Sequence, residues 1–130
     1  MADLDTTRPA TTLYRPVGEQ ELALIEASGF RAFPPRLEWQ PIFYPVTTEQ
    51  YATTIARDWN ARDGHRGFVT RFAVESAWLQ QFETHIVGSH AHEEYWIPAE
   101  RLDEFNAHIV GVIEVIATFD PPDSSDSPSS

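Results

Sequence analysis

Residues 41–60 decide how this chain folds, and their sequence is PIFYPVTTEQYATTIARDWN. The first six residues alternate at period two, a pattern that predicts a buried strand with Ile42, Tyr44 and Val46 on one face. Pro45 favours an extended backbone at Tyr44, because a proline ring clashes with a helical conformation of the residue before it. The strand is therefore expected to end at a tyrosine that forms one wall of a small-molecule cleft.

A helix is predicted directly after this strand, over residues 48–61. Thr47 and Gln50 stand at the spacing of a capping box, in which two side chains satisfy the first free N–H groups of a helix. Helical periodicity then places one apolar stripe on the core side of the helix. That stripe comprises Tyr51, Ile55 and Trp59, with Ala52 and Ala56 beside it.

The remaining elements indicate an α+β domain in which strands outnumber helices. Residues 68–74 alternate as a half-buried strand, and residues 109–119 are too rich in β-branched side chains for a helix. The folded part is expected to span residues 12–119, between a flexible leader at residues 1–11 and a disordered, polar tail at residues 120–130. The other predicted elements are a strand at 13–17, helices at 19–28 and from 98 onward, helical turns at 75–82, and short strands at 85–88 and 94–97.

The composition excludes several classes of chemistry. The 130 residues contain no cysteine, which excludes disulfides, thiol nucleophiles and cysteine-based metal sites. All nine basic residues are arginine, so lysine Schiff-base chemistry is excluded as well. The net charge of −11 disfavours nucleic-acid binding and fits either a well-solvated surface or a basic protein partner. No apolar run reaches the roughly 20 residues of a membrane helix and no signal segment is seen, so a cytoplasmic location is expected.

Three segments of the chain carry a resemblance to a known fold. They are LYR at residues 13–15, the strand that ends at Tyr44 and leads into a helix bearing Tyr51, and EYWIPA at residues 94–99. Together they resemble the ADP-ribosyltransferase-like fold, and residues 12–115 resemble small bacterial proteins labelled "ADP-ribosylation/crystallin J1". The resemblance implies an α+β split β-sandwich, in which two small sheets grip NAD, the substrate, in the cleft between them.

The resemblance also implies roles for particular residues. Arg15 would contact the dinucleotide, Tyr44 and Tyr51 would frame its nicotinamide, and Glu94 would be the catalytic glutamate, with Glu93 as the preceding member of a paired-acid motif. A carboxylate suits this chemistry because it stabilises the oxocarbenium character that develops as the nicotinamide bond breaks. Arginine suits the pyrophosphate, and aromatic rings suit the flat nicotinamide. The implied function is transfer of ADP-ribose to an acceptor, or hydrolysis of NAD.

Each of these residues also has a structural interpretation. Arg15 could cover the sheet edge and pair with a surface acid, and the two tyrosines Tyr44 and Tyr51 could be core aromatics with solvated hydroxyls. Glu94 shares a strand face with Trp96, so its role depends on which face is buried. No Ser-Thr-Ser triplet and no first-strand His-Gly-Thr sequence are present. The alternative function is therefore a non-catalytic, acidic partner-binding protein of immunity or regulatory type on the same fold.

A second constellation consists of His85, His90 and His92 together with Glu93 and Glu94. Imidazole and carboxylate groups at alternating positions of an extended segment could bind zinc or another divalent ion. The spacing does not match a recognised zinc signature, and a solvated polar loop explains it as well. No metal is therefore expected.

Overall fold

The computed structural model describes residues 9–61, 64–86 and 93–120. It shows an α+β fold of short helices and small antiparallel sheets. The first strand begins at Ala10, so the last two residues of the predicted leader belong to the folded part. The strands are β1 (Ala10–Gly18), β2 (Ile42–Phe43), β3 (Gly67–Glu75), β4 (Thr84–Ile86), β5 (Glu93–Tyr95), β6 (Ile97–Pro98) and β7 (Ile109–Phe119).

The helices are short and lie between the strands in sequence. None of those in the described ranges is long and apolar enough to span a bilayer. The α-helices are α1 (Glu19–Ala27), α2 (Glu49–Ile55), α3 (Ser76–Leu79) and α4 (Leu102–Ala107), with a π-helical turn at Ala56–Asn60 and a 3₁₀ turn at Ala99–Arg101.

The main core packs on one face of an antiparallel sheet of order β1-β3-β7. The even-numbered residues 68–74 of β3 are buried on this face and Arg71 is exposed, which confirms the predicted alternation. Val69 is also buried, because α2 and the π-helical turn cover this end of the opposite face. Aromatic rings fill the main core, and Phe33 contacts Phe72 edge-on with ring centroids 4.8 Å apart. Other members of this cluster are Leu13, Val17, Ile25, Phe43, Leu79, Ile97, Leu102, Phe105 and Ile113.

A two-stranded ribbon joins residues 41–47 to residues 93–99 in one antiparallel register. Phe43 is paired with Ile97 in β2 and β6, and Val46 bridges Glu94. Backbone hydrogen bonds extend this register at both ends, from Ala99 N–H to the Pro41 carbonyl and from Thr47 N–H to the Glu93 carbonyl. The same register sets Tyr44 opposite Trp96, whose rings meet at right angles with centroids 6.1 Å apart.

The prediction that Ile42, Tyr44 and Val46 share one buried face is wrong for two of the three residues. Phe43 is fully buried, whereas Ile42 is half-buried and Tyr44 is 37% exposed. The regular strand ends at Phe43, and Val46 is buried in a separate cluster behind the sheet. The simple alternation fails because the ribbon leaves one layer of the core and enters another between these residues.

The helix that follows also differs from the prediction in its cap and its buried face. Thr48, not Thr47, is the N-cap, and its Oγ1 accepts a hydrogen bond of 3.2 Å from Tyr51 N–H. Trp59 is 65% exposed rather than buried. A π-type hydrogen bond from Ala61 N–H to the Ala56 carbonyl inserts an extra residue into the last turn and rotates its side chains away from the core.

Gly67 allows this π-helical turn to pack directly on the sheet. A Cβ atom at Gly67 would lie 2.2 Å from the Ala56 carbonyl oxygen and 2.9 Å from Asn60 Cβ. Glycine is therefore required here by close backbone approach rather than by an unusual dihedral angle. Gly18, the direct partner of Gly67 in β1, has only one atom at 4.0 Å from the corresponding Cβ position.

We expect Gly67→Ala to destabilise the fold by about 1–3 kcal/mol or more, because the methyl group forces the turn away from the sheet. Gly18→Ala is the matched control and should cost less than about 1 kcal/mol, since it has room and only changes a helix N-cap. Urea denaturation of both variants measures the two free energies of unfolding. Equal losses would contradict the close-approach explanation.

Candidate functional site

The backbone around Val46 brings three distant segments of the chain together. Val46 exchanges two hydrogen bonds with Tyr14 of β1, at 2.8 and 2.9 Å, and bridges Glu94 of β5 on its other side. Tyr95 N–H also donates to the Pro45 carbonyl at 2.8 Å. This short segment therefore places β1 beside β5, which pairs on with β4 through Glu94 and His85.

A cleft of about 450 Å³ opens where these segments meet. Arg15, Tyr44 and Glu94, which sequence analysis selected from three separate segments, all line it. This volume lies within the range of small-molecule sites in proteins, roughly 300–1,000 Å³. The other lining residues are Pro16, Val46, Ile55, Asn60 and Trp96.

Two neutral donors hold the carboxylate of Glu94 in the cleft. Tyr51 Oη donates to Glu94 Oε1 at 3.2 Å, and Trp96 Nε1 donates to Oε2 at 2.9 Å. Burial, together with the negative charge of Glu94, raises the pKa of Tyr51 above 10.0. The phenol therefore stays protonated and keeps donating at neutral pH. Tyr51 was predicted to frame a nicotinamide, but it contacts Glu94 and is not among the lining residues of the cleft.

The side chain of Glu94 lies on the strand face that lines the cleft. Its side chain shares this face with Trp96, while Ile97 is fully buried and Tyr95 packs against the main core. Between the two interpretations of Glu94, the structure favours the carboxylate in an open cleft over the carboxylate in a packed core.

Arg15 is buried at the edge of the cleft and paired with Glu21 of α1. Its side chain is 10% exposed, and Nε and Nη2 donate to the two carboxylate oxygens at 2.7 and 3.1 Å. Nη1 lies 3.4 Å from the Tyr44 carbonyl. Within the described ranges, three of the five N–H groups of Arg15 are engaged, and the other two have no partner there. Arg15 does pair with an acid, as the structural interpretation has it, but in a partly buried position.

A second arginine lies on the same aromatic ring. The guanidinium carbon of Arg15 is 4.6 Å from the Phe43 ring centroid, and that of Arg36 is 6.0 Å from it. Arg36 Nε donates to the Ile42 carbonyl at 3.1 Å. Burial, followed by the positive charge of Arg15, lowers the pKa of Arg36 below its usual value. Sequence analysis did not select Arg36, because no motif marks it.

Glu21→Gln should destabilise the fold by about 2 kcal/mol, because it leaves the guanidinium of Arg15 without a counter-charge in a partly buried position. Glu114→Gln removes the same charge from the exposed pair of Glu114 with Arg71 and should cost less than about 1 kcal/mol. Urea denaturation at low salt measures both free energies of unfolding, because urea is uncharged and does not screen ion pairs. A Glu21→Gln variant as stable as Glu114→Gln would show that the pair of Arg15 with Glu21 stabilises the fold no more than an exposed ion pair does.

Glu93 points away from the cleft. Its backbone carbonyl accepts from Thr47 N–H at 3.0 Å, and its carboxylate oxygen lies 3.3 Å from Thr47 Oγ1. Successive residues of a strand face opposite sides, which explains why two adjacent glutamates cannot enter one cleft together.

The structure describes only part of the group formed by the three histidines and the two adjacent glutamates. His85 stacks on the indole of Trp96, with ring centroids 3.8 Å apart and planes 19° from parallel. His90 and His92 lie outside the described residues. Within the described residues there is no group of three or more His, Cys, Asp or Glu side chains that could hold a metal ion.

Trp96 and Asn60 are site residues that sequence analysis did not select. Trp96 shares the strand face of Glu94, and this alternation is the signal by which it could have been found. Asn60 gives no such signal, because the π-helical turn brings it to the cleft. Its Oδ1 is buried without a hydrogen-bond partner in the described part of the chain, which is a costly arrangement for a carbonyl group.

Comparison with known proteins provides no relative for this arrangement. No protein-family model, no curated protein and no solved structure matches the chain.

Proposed function

We propose that this chain is an NAD-binding protein of ADP-ribosyltransferase-like type, with a split β-sandwich fold, that transfers ADP-ribose to an acceptor or hydrolyses NAD. The observation that supports the proposal most is the meeting of Arg15, Tyr44 and Glu94 at one cleft. These residues are far apart in the sequence, and the resemblance implies that all three act on the same dinucleotide.

Glu94 is the catalytic residue in this proposal. When the bond between nicotinamide and ribose breaks, nicotinamide leaves with the bonding electron pair, and the ribose carbon acquires positive charge. A carboxylate next to this carbon lowers the barrier by stabilising that charge. Water or the hydroxyl of an acceptor then attacks the carbon and loses its proton. Tyr51 and Trp96 fix the carboxylate without neutralising it, because both are uncharged donors.

Tyr44 and Trp96 form the aromatic end of the cleft. Their rings meet at 90°, and Trp96 is itself held by its hydrogen bond to Glu94. Flat ligand rings pack well on such aromatic surfaces. We therefore expect the nicotinamide ring to lie against Tyr44 and Trp96, with its ribose bond near Glu94 and the pyrophosphate toward the two N–H groups of Arg15 that have no partner among the described residues.

One observation favours the second candidate, a non-catalytic acidic binding protein on the same fold. The bidentate pairing with Glu21 already neutralises Arg15, so it attracts a pyrophosphate less strongly than a free arginine does. In this case the cleft binds a ligand or partner without turning it over.

Glu94→Gln should lower NAD turnover by about 100-fold or more, because a neutral amide cannot stabilise the developing positive charge. Its melting temperature should stay close to that of the wild type, since the glutamine carbonyl can still accept from Trp96 Nε1 while its NH2 group donates to the hydroxyl oxygen of Tyr51. Release of nicotinamide from NAD, followed by chromatography, measures the turnover.

Glu93→Gln separates the two adjacent acids. Its side chain faces Thr47, so we expect turnover within about twofold of the wild type. Loss of activity in this variant would assign a role to the paired acids together. Unchanged turnover in Glu94→Gln, or no turnover by the wild type, would contradict the enzyme proposal, and NAD binding without turnover would support the second candidate.

A further inference from the structure

We infer that the cleft selects its ligand by charge, and that it takes a flat heteroaromatic ring carrying a positive charge in preference to the neutral ring of the same shape. The inference rests on the proposed function for the position of the ring, and it defines the ligand class of that site. Its basis is the combination of an unneutralised carboxylate with two aromatic walls in one cavity.

The carboxylate of Glu94 has no cationic partner among the described residues. Its two oxygens accept from the hydroxyl of Tyr51 and the indole of Trp96, and neither donor carries a charge. The ion pairs within the described ranges involve other acids. Arg15, the arginine in the lining, directs its charge to Glu21. A ligand in the cleft therefore meets a negative charge that no cationic side chain in the described ranges cancels.

The walls of the cleft add to this preference. Tyr44 and Trp96 present aromatic rings, and the electron-rich face of such a ring attracts a cation. His85 stacks on the indole of Trp96 and fixes its plane. The apolar side chains of Val46, Ile55 and Pro16 also line the cleft, and apolar surroundings strengthen the attraction between opposite charges.

The direct test compares two small probes by isothermal titration calorimetry. The 1-methylnicotinamide cation and neutral nicotinamide share the same flat ring and carboxamide, and they differ by a methyl group and a charge. We expect the wild type to bind the cation about tenfold more tightly, a difference that corresponds to a modest net electrostatic gain. Equal affinity for the two probes, or tighter binding of nicotinamide, would overturn the inference.

Three variants show where the selectivity comes from. Glu94→Gln should reduce the preference to about twofold or less, whereas Glu100→Gln, which removes one charge from an exposed turn, should retain it. If Glu94→Gln does not fold, Tyr44→Leu provides the test, because Tyr44 is 37% exposed and its loss leaves the carboxylate in place. Tyr44→Leu should weaken binding of both probes, because both lose a packing surface, but it should weaken the cation several-fold more, because only the cation also loses the attraction to the ring face. An equal loss of preference in Glu100→Gln would attribute it to the overall charge of −11 and overturn the inference.

The dinucleotides distinguish this inference from the proposed function. Oxidised NAD carries the charged ring and reduced NADH the neutral one, so the oxidised form should bind about tenfold more tightly. Selective binding of 1-methylnicotinamide without binding of either dinucleotide would uphold the inference and overturn the proposed function. Equal binding of NAD and NADH would overturn the inference and leave the proposed function standing. Binding of none of the four probes would overturn both.

Discussion

The backbone pairing of Val46 on both of its sides is the constraint on which the rest of this structure depends. Through it, one short segment joins the first strand of the main sheet to the hairpin that carries Glu94. A displacement of this segment by one residue would reverse every side chain of the ribbon. Tyr44 would then no longer face Trp96, and the cleft would lose its aromatic wall and its link to the carboxylate at the same time.

Charges of both signs lie in and beside the cleft. Arg15, which lines it, pairs with Glu21 and lies over the Phe43 ring, and Arg36 is near the same ring. The carboxylate of Glu94, also in the lining, accepts from two neutral donors in the described part of the chain. The proposed ligand, with a positive ring and a separate negative group, matches this combination. The overall charge of −11 would by itself repel anions, so any phosphate must be held by local arginine contacts.

The positions of the strands and helices could largely be predicted from the sequence, because β3 and β7 carry strong alternation and β-branched content. The packing and the partners of individual side chains could not be predicted in this way. Trp59 belongs to an apolar stripe in an ideal helix, but close contact at Gly67 and a π-type bond turn it to the surface. Arg15 and Glu94 could be selected because the segments LYR and EYWIPA resemble those of a known fold. The partners of Arg15 and the opposite orientations of Glu93 and Glu94 depend on tertiary pairing, which no local pattern encodes.

The most direct test of the central claim follows the tryptophan indole N–H signals by ¹H–¹⁵N NMR while NAD is added. The four tryptophans of the chain serve as internal controls for one another. We expect a saturable shift of the Trp96 signal, because this N–H donates to Glu94 inside the cleft, and no shift of Trp39, which is 75% exposed and outside the cleft lining. A Trp96 signal that stays unchanged at saturating NAD, or a saturable shift at Trp39 instead, would contradict it.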